Sequence, residues 1–211
     1  MTTGALDRLV RRAASRRAES ERCDLCSDPV REEHAHVLDE RSETLLCACK
    51  PCSLLFEREG AGRGHYRLVP HRRLRLTGVR PGELGVPVSL AFFVRRPDGQ
   101  VVAHYPSPAG ATQWEVDPGA WERALSRCHE LRALEPGVEA LLVDTVQGAD
   151  EQWIVPLDDC YRLVALVRRH WRGFTGGREV WGEIARFFAE LGEQSRPGRG
   201  DPRRRERRND G

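Results

Sequence analysis

Five of the seven cysteines in this 211-residue chain fall in one short segment: Cys23-Asp24-Leu25-Cys26, then twenty residues, then Cys47-Ala48-Cys49-Lys50-Pro51-Cys52. Cys23/Cys26 and Cys49/Cys52 form two CxxC turns with twenty-two residues between them, close to the spacing of a four-cysteine zinc ribbon. A CxxC turn presents two thiolates on one side of a tight knuckle. Two such knuckles at the ends of a short hairpin complete a tetrahedron around a metal ion. Zinc fits that donor set and iron fits it too, because tetrahedral thiolates suit both. A redox dithiol or an iron–sulfur ligand set would use the same residues. In a reducing cytosol a metal is a better reading of these pairs than a disulfide.

Cys47 makes the count odd. It can replace Cys49 in the second pair, stand spare, or serve as a fifth thiolate for exchange or transfer. His34, His36, His65 and His71 are nearby alternative ligands, although a single histidine is more often a surface or turn residue. Cys128 and Cys160 fall on the apolar faces of expected helices, where a free cysteine packs as a small hydrophobe.

Other chemistry is weaker. Ser107 near His104 lacks a GxSxG elbow, so the segment from Ala103 to Thr112 reads as a rigid proline-rich turn rather than a hydrolase site. Asp158-Asp159 reads as one helix cap and one solvated carboxylate. Gly173-Phe174-Thr175-Gly176-Gly177 lacks a phosphate-loop pattern and reads as helix punctuation, and the five tryptophans read as core. No catalytic constellation emerges, so a non-enzymatic protein is expected.

The elements that must position these groups follow from periodicity. Residues 23–76 hold few large apolar side chains, so this Cys-rich module needs a staple, which metal binding can supply. Pro- and Gly-rich residues 77–87 then read as a linker or a long irregular loop. Strands are expected at Val86–Val94, Val101–Tyr105, Val138–Val146 and Trp153–Val155, with a turn at Arg96-Pro97-Asp98-Gly99. Helices are expected at Pro118–Leu131, Asp159–Trp171 and Arg178–Leu191, the last two with apolar residues on one face. The pattern predicts an α+β fold: a small N-terminal zinc-ribbon-like module packed on an antiparallel-sheet domain with C-terminal helices, all of the sheet's helices lying on one side of it. The domain reading is 1–22, a basic and helix-compatible segment; 23–76, the module; 77–192, the α+β domain; and 193–211, an Arg-rich tail expected to be disordered.

Charge narrows the partners. Residues 1–22 carry six Arg against three acids and residues 195–211 carry seven against three, so the interior is net −5 within a total of +2. An acidic body argues against an extended nucleic-acid surface and leaves only the tails for phosphate contacts. No stretch approaches the roughly 18 apolar residues of a membrane span, and the first residues lack the apolar core of a secretory signal, so a cytoplasmic location is expected.

Read in series, CDLC, LLCACKPC, LLFE, PVSLAFF, HYPSPAGAT, VEALLVD, IVPLDDCYRLVALVRRHWRGFTGGREVW and FFAEL resemble one uncharacterised bacterial family of unknown function. That family is encoded in gene clusters for high-affinity nickel–iron hydrogenases. The resemblance covers about residues 22–192 and implies an accessory role, with a hydrogenase subunit or maturation factor as protein partner. It also implies that Cys23, Cys26, Cys47, Cys49 and Cys52 match the family's cysteine motif and Tyr105 to Thr112 its proline-rich loop. Gln113-Trp114 departs from the more acidic or polar pair expected there. Three functions are weighed: a zinc adaptor first, then electron or sulfur transfer through an iron site or a free cysteine, then a nucleic-acid-binding regulator.

Overall fold

The computed structural model describes residues 21–57, 65–85, 89–173 and 176–195. The expected N-terminal helix and the tail beyond residue 195 lie outside the described residues. The fold is α+β, and the chain divides into two compact units, Met1–Pro70 and His71–Gly211.

In the first unit, Ala35–Asp39 (β1) and Thr44–Ala48 (β2) pair antiparallel, with Glu43 in the turn at a positive φ of 52°. Tyr66–Leu68 (β3) adds to the other edge of β1, giving the order β2-β1-β3. A short helix, Lys50–Leu54 (α1), follows β2 directly, its first turn favoured by Pro51. Among the described residues of this unit, Val37, Leu38, Ala48 and Val69 are the buried apolar side chains besides Cys23 and Cys49, a very small core.

The second unit is built on a six-stranded antiparallel sheet. Its strands are Leu74–Arg75 (β4), Leu90–Arg95 (β5), Val101–Ser107 (β6), Gly110–Glu115 (β7), Glu139–Asp144 (β8) and Glu151–Pro156 (β9), in the order β4-β9-β8-β5-β6-β7. The expected turn after β5 forms, with Gly99 at φ 91° donating its N–H to the Arg96 carbonyl at 2.9 Å. The chain leaves β7 through a helix, Pro118–Arg127 (α2), and returns to place β8 beside β5. Asp117 caps α2 by accepting from the Ala120 amide at 2.8 Å. Helices Leu157–His170 (α3) and Gly177–Ser195 (α4) complete the unit and pack together.

Strand alternation divides the sheet into two apolar faces. Ala91, Phe93, Val101, Ala103, Leu141, Val143 and Ile154 lie under Trp121, Ala124 and Leu125 of α2. Residues of the opposite parity, such as Phe92, Leu142 and Trp153, face away from α2, on the side where α3 packs across β6 to β9. All six residues of β8 are therefore buried. Burying each of Leu141 and Leu142 completely is worth roughly 1.5–3 kcal/mol. The sequence placed the helices on one side; α3 and α4 are there, but α2 takes the other face because its buried Trp121 belongs to the core cluster with Phe93.

Three further differences have local causes. Residues 71–76, read with the Cys-rich module, belong to the second unit, where Leu74 and Arg75 pair with Ile154 and Trp153 of β9. Helix α3 starts at Leu157 after Pro156, without a side-chain cap. Asp159 instead takes a bidentate ion pair with Arg73, at 2.6 and 3.2 Å, and is buried. The proline-rich segment is a hairpin whose strands run on either side of Pro108-Ala109, and Trp114 on β7 is 57% exposed rather than core.

Candidate metal centre

The sulfurs of Cys23, Cys26, Cys49 and Cys52 lie within 4.8 Å of one another, a set that can hold a metal ion. Each pair is presented by local backbone geometry. In the first knuckle the Ser27 amide donates to the Cys23 carbonyl at 2.8 Å, the Cys23 amide donates to the Asp28 carbonyl at 2.8 Å, and Ser27 turns the chain at φ 65°. In the second, Cys49 stands at the extended N-cap of α1, whose first turn carries Cys52, and its carbonyl accepts from the Ser53 amide at 2.9 Å.

The two knuckles meet because Asp24 is tied to the end of β2. Its amide donates to the Cys47 carbonyl at 2.9 Å, and its carboxylate accepts from the Cys47 amide at 2.6 Å. The Cys26 and Cys49 sulfurs come within 3.6 Å. Tetrahedral zinc–thiolate bonds of about 2.3 Å place sulfurs about 3.8 Å apart, so the donor set fits such an ion.

The electrostatics favour negative charge at one end of the cluster. Burial opposes the Cys23 thiolate, but hydrogen bonds from the backbone at Cys49, Leu25 and Cys26 outweigh it and lower the thiol from 9.0 to about 6. Cys52 is held well above its ordinary range, chiefly by its contact with the Cys49 sulfur and then by burial. At Cys26 the Asp28 backbone favours the thiolate, but burial and the Cys23 and Cys49 sulfurs prevail and raise the thiol. A metal would take the place of these shared protons.

Cys47 does not join the four. Its sulfur groups instead with the imidazoles of His34 and His36, the ligand atoms again within 4.8 Å. Of the other candidate ligands, His65 stacks at a tilt on Tyr66 and His71 lies in the second unit. Cys128 and Cys160 are buried as expected; burial raises both thiols, that of Cys160 strongly.

A family model described as a family of unknown function, DUF5947, matches residues 22–195, over four fifths of the chain. The chain belongs to the DUF5947 family. The DUF5947 match starts just before Cys23 and spans both units. No curated protein and no solved structure matches the chain. Among the described residues of this DUF5947 member, no helix is long and apolar enough to cross a membrane.

Asp24 leaves a trace in the sequence, an acid inside the first CxxC turn, but its bond to Cys47 does not. Sequence proximity marks His34 and His36 only as substitutes for a cysteine of the four. The missing information was the hairpin register that sets His36 opposite Cys47.

Proposed function

We propose that this chain is a non-enzymatic, zinc-bearing accessory protein of the bacterial cytoplasm, whose four-cysteine centre rigidifies the first unit as a recognition module for a protein partner. The observation that carries this reading is the convergence of four thiols from two knuckles to within 4.8 Å of one another, a donor set of the kind tetrahedral zinc takes. Such a centre holds together a unit whose own apolar core is too small to do so. The partner reading rests on the resemblance of residues 22–192 to a family encoded beside nickel–iron hydrogenases, and names a hydrogenase subunit or maturation factor. When bound, zinc supplies a closed structural centre. Cys23, Cys26, Cys49 and Cys52 would hold it.

The test is metal analysis with an absorption spectrum on anaerobically purified full-length protein, alongside the Cys52→Ser variant. Colourless protein that holds zinc and loses an equivalent on Cys52→Ser supports the reading. Visible thiolate-to-iron absorption would replace it with electron transfer. Affinity capture against purified hydrogenase subunits and maturation factors tests the partner, and binding to none of them would overturn that part.

A further inference from the structure

We propose a second metal site in the first unit, formed by the imidazoles of His34 and His36 and the thiolate of Cys47, which takes a divalent late first-row ion of borderline softness. This proposal does not depend on what the four-cysteine centre holds, because the two ligand sets share no residue.

The backbone brings the three donors together. His36 on β1 and Cys47 on β2 are direct partners in the antiparallel register, so their side chains leave the sheet on the same side. His34 lies two residues before His36, and the two rings approach to 4.6 Å between centroids. Cys47 is fixed at its backbone by the paired hydrogen bonds with Asp24. The donor atoms lie within 4.8 Å of one another. Bonds of about 2.0–2.3 Å require donor separations of about 3.3–3.6 Å, so a metal needs a closure of at most about 1.5 Å, within reach of small side-chain rotations.

His34 supplies the decisive observation. Its Nδ1 is 2.8 Å from the Arg31 carbonyl oxygen, which can only accept, so Nδ1 carries the proton. The Glu21 carboxylate, at 3.8 Å, favours the same tautomer. The lone pair is therefore on Nε2, which is buried without a hydrogen-bond partner in a side chain only 7% exposed. A buried imidazole nitrogen left in this state is costly. A metal ion satisfies it, and an Nδ1–H held by a backbone carbonyl is the orientation that metal-bound histidines use.

Two imidazoles and a thiolate suit zinc, cobalt(II) and copper, and do not suit calcium or magnesium. Three protein donors leave a fourth position for water or a partner's side chain, which makes the site exchangeable where the four-thiolate centre is closed.

The test is an anaerobic cobalt(II) titration of metal-stripped full-length protein, followed by charge-transfer absorption and by the 15N resonances of the histidine rings. Wild type should take two equivalents, with the His34 Nε2 resonance shifting on the weaker one. Cys47→Ser keeps the backbone bonds to Asp24, and His34→Gln leaves β1 and β2 unaltered; each should retain one equivalent. A single equivalent in wild type that survives Cys47→Ser would overturn the proposal, as would two equivalents in both variants or loss of all metal in both. A single equivalent abolished by Cys47→Ser but untouched by Cys52→Ser would uphold this site and sink the four-cysteine reading.

Discussion

Asp24 and Cys47 exchange two hydrogen bonds, amide to carbonyl at 2.9 Å and carboxylate from amide at 2.6 Å, and so fasten the first cysteine knuckle to the strand that leads into the second. The odd cysteine thus has a structural duty through its backbone, separate from whatever its sulfur does. Asp24 itself contributes no atom to the four-thiol set, but it sets the distance between the two halves of that set.

Replacing Asp24 by Ala removes a charge-assisted acceptor that positions ligands, a change that costs about 10–100-fold in metal affinity at such sites. Asp24→Ala is expected to lose the metal of its four-cysteine centre to a chromogenic chelator at concentrations at least about 10-fold lower than wild type. Asp24→Asn, which keeps an acceptor oxygen, should fall between the two. Identical competition curves for all three proteins would remove the latch from the account of the centre.

Metal removal should act on one unit only. The first unit buries Val37, Leu38, Ala48 and Val69, whereas the second holds a core from Leu76 through Ile154. All five tryptophans lie in the second unit, so their fluorescence reports that unit alone. Chelation is expected to abolish amide protection in β1, β2 and β3 while the fluorescence spectrum stays native. Protected β1 and β2 amides in verified metal-free protein would show that the small core suffices.

The parts of this arrangement that the sequence revealed are those set by local rules. The four thiols converge through two tight turns and one hairpin, all within Cys23 to Cys52, and α3 and α4 carry their buried residues at helical spacing. Strand β7 was missed because five of its six residues are exposed and leave no alternating signal. The cap expected at the start of α3 does not form because Asp159 pairs with Arg73, 86 residues away, a partner that no local pattern records. His34, His36 and Cys47 were visible as residue types, but their grouping depends on strand register.

Arg72 makes a bidentate ion pair with Glu139, at 2.8 and 2.5 Å, and also donates to the Ala133 carbonyl. Glu139 is fully buried and accepts further from the Glu135 amide. Arg72→Ala strands that carboxylate without its cation, for which about 3 kcal/mol is expected in urea unfolding followed by tryptophan fluorescence. The double change Arg72→Leu with Glu139→Leu removes both charges and should recover much of the loss. A single-variant cost below about 1 kcal/mol would mean that water reaches the carboxylate once the guanidinium is gone.

Asp144 contributes a pH dependence opposite in sense to that of the salt-bridged acids Glu83 and Glu179 of the same unit. It is buried at the end of β8, and burial raises its carboxyl above 3.8, the Val146 amide opposing and the Glu151 charge adding to the rise. A carboxyl whose folded pKa exceeds its unfolded value favours the fold in its neutral form. That contribution is complete below about pH 3.8 and is lost as pH rises through the folded pKa. At pH 7 the ionised side chain is therefore a burden, while its oxygen still accepts from Val146 at 2.8 Å. Asp144→Asn keeps an acceptor there and removes the charge, so the variant should unfold at higher urea than wild type at pH 7. The difference should shrink as pH approaches 4, and a variant less stable than wild type at pH 7 would show that the charge is compensated.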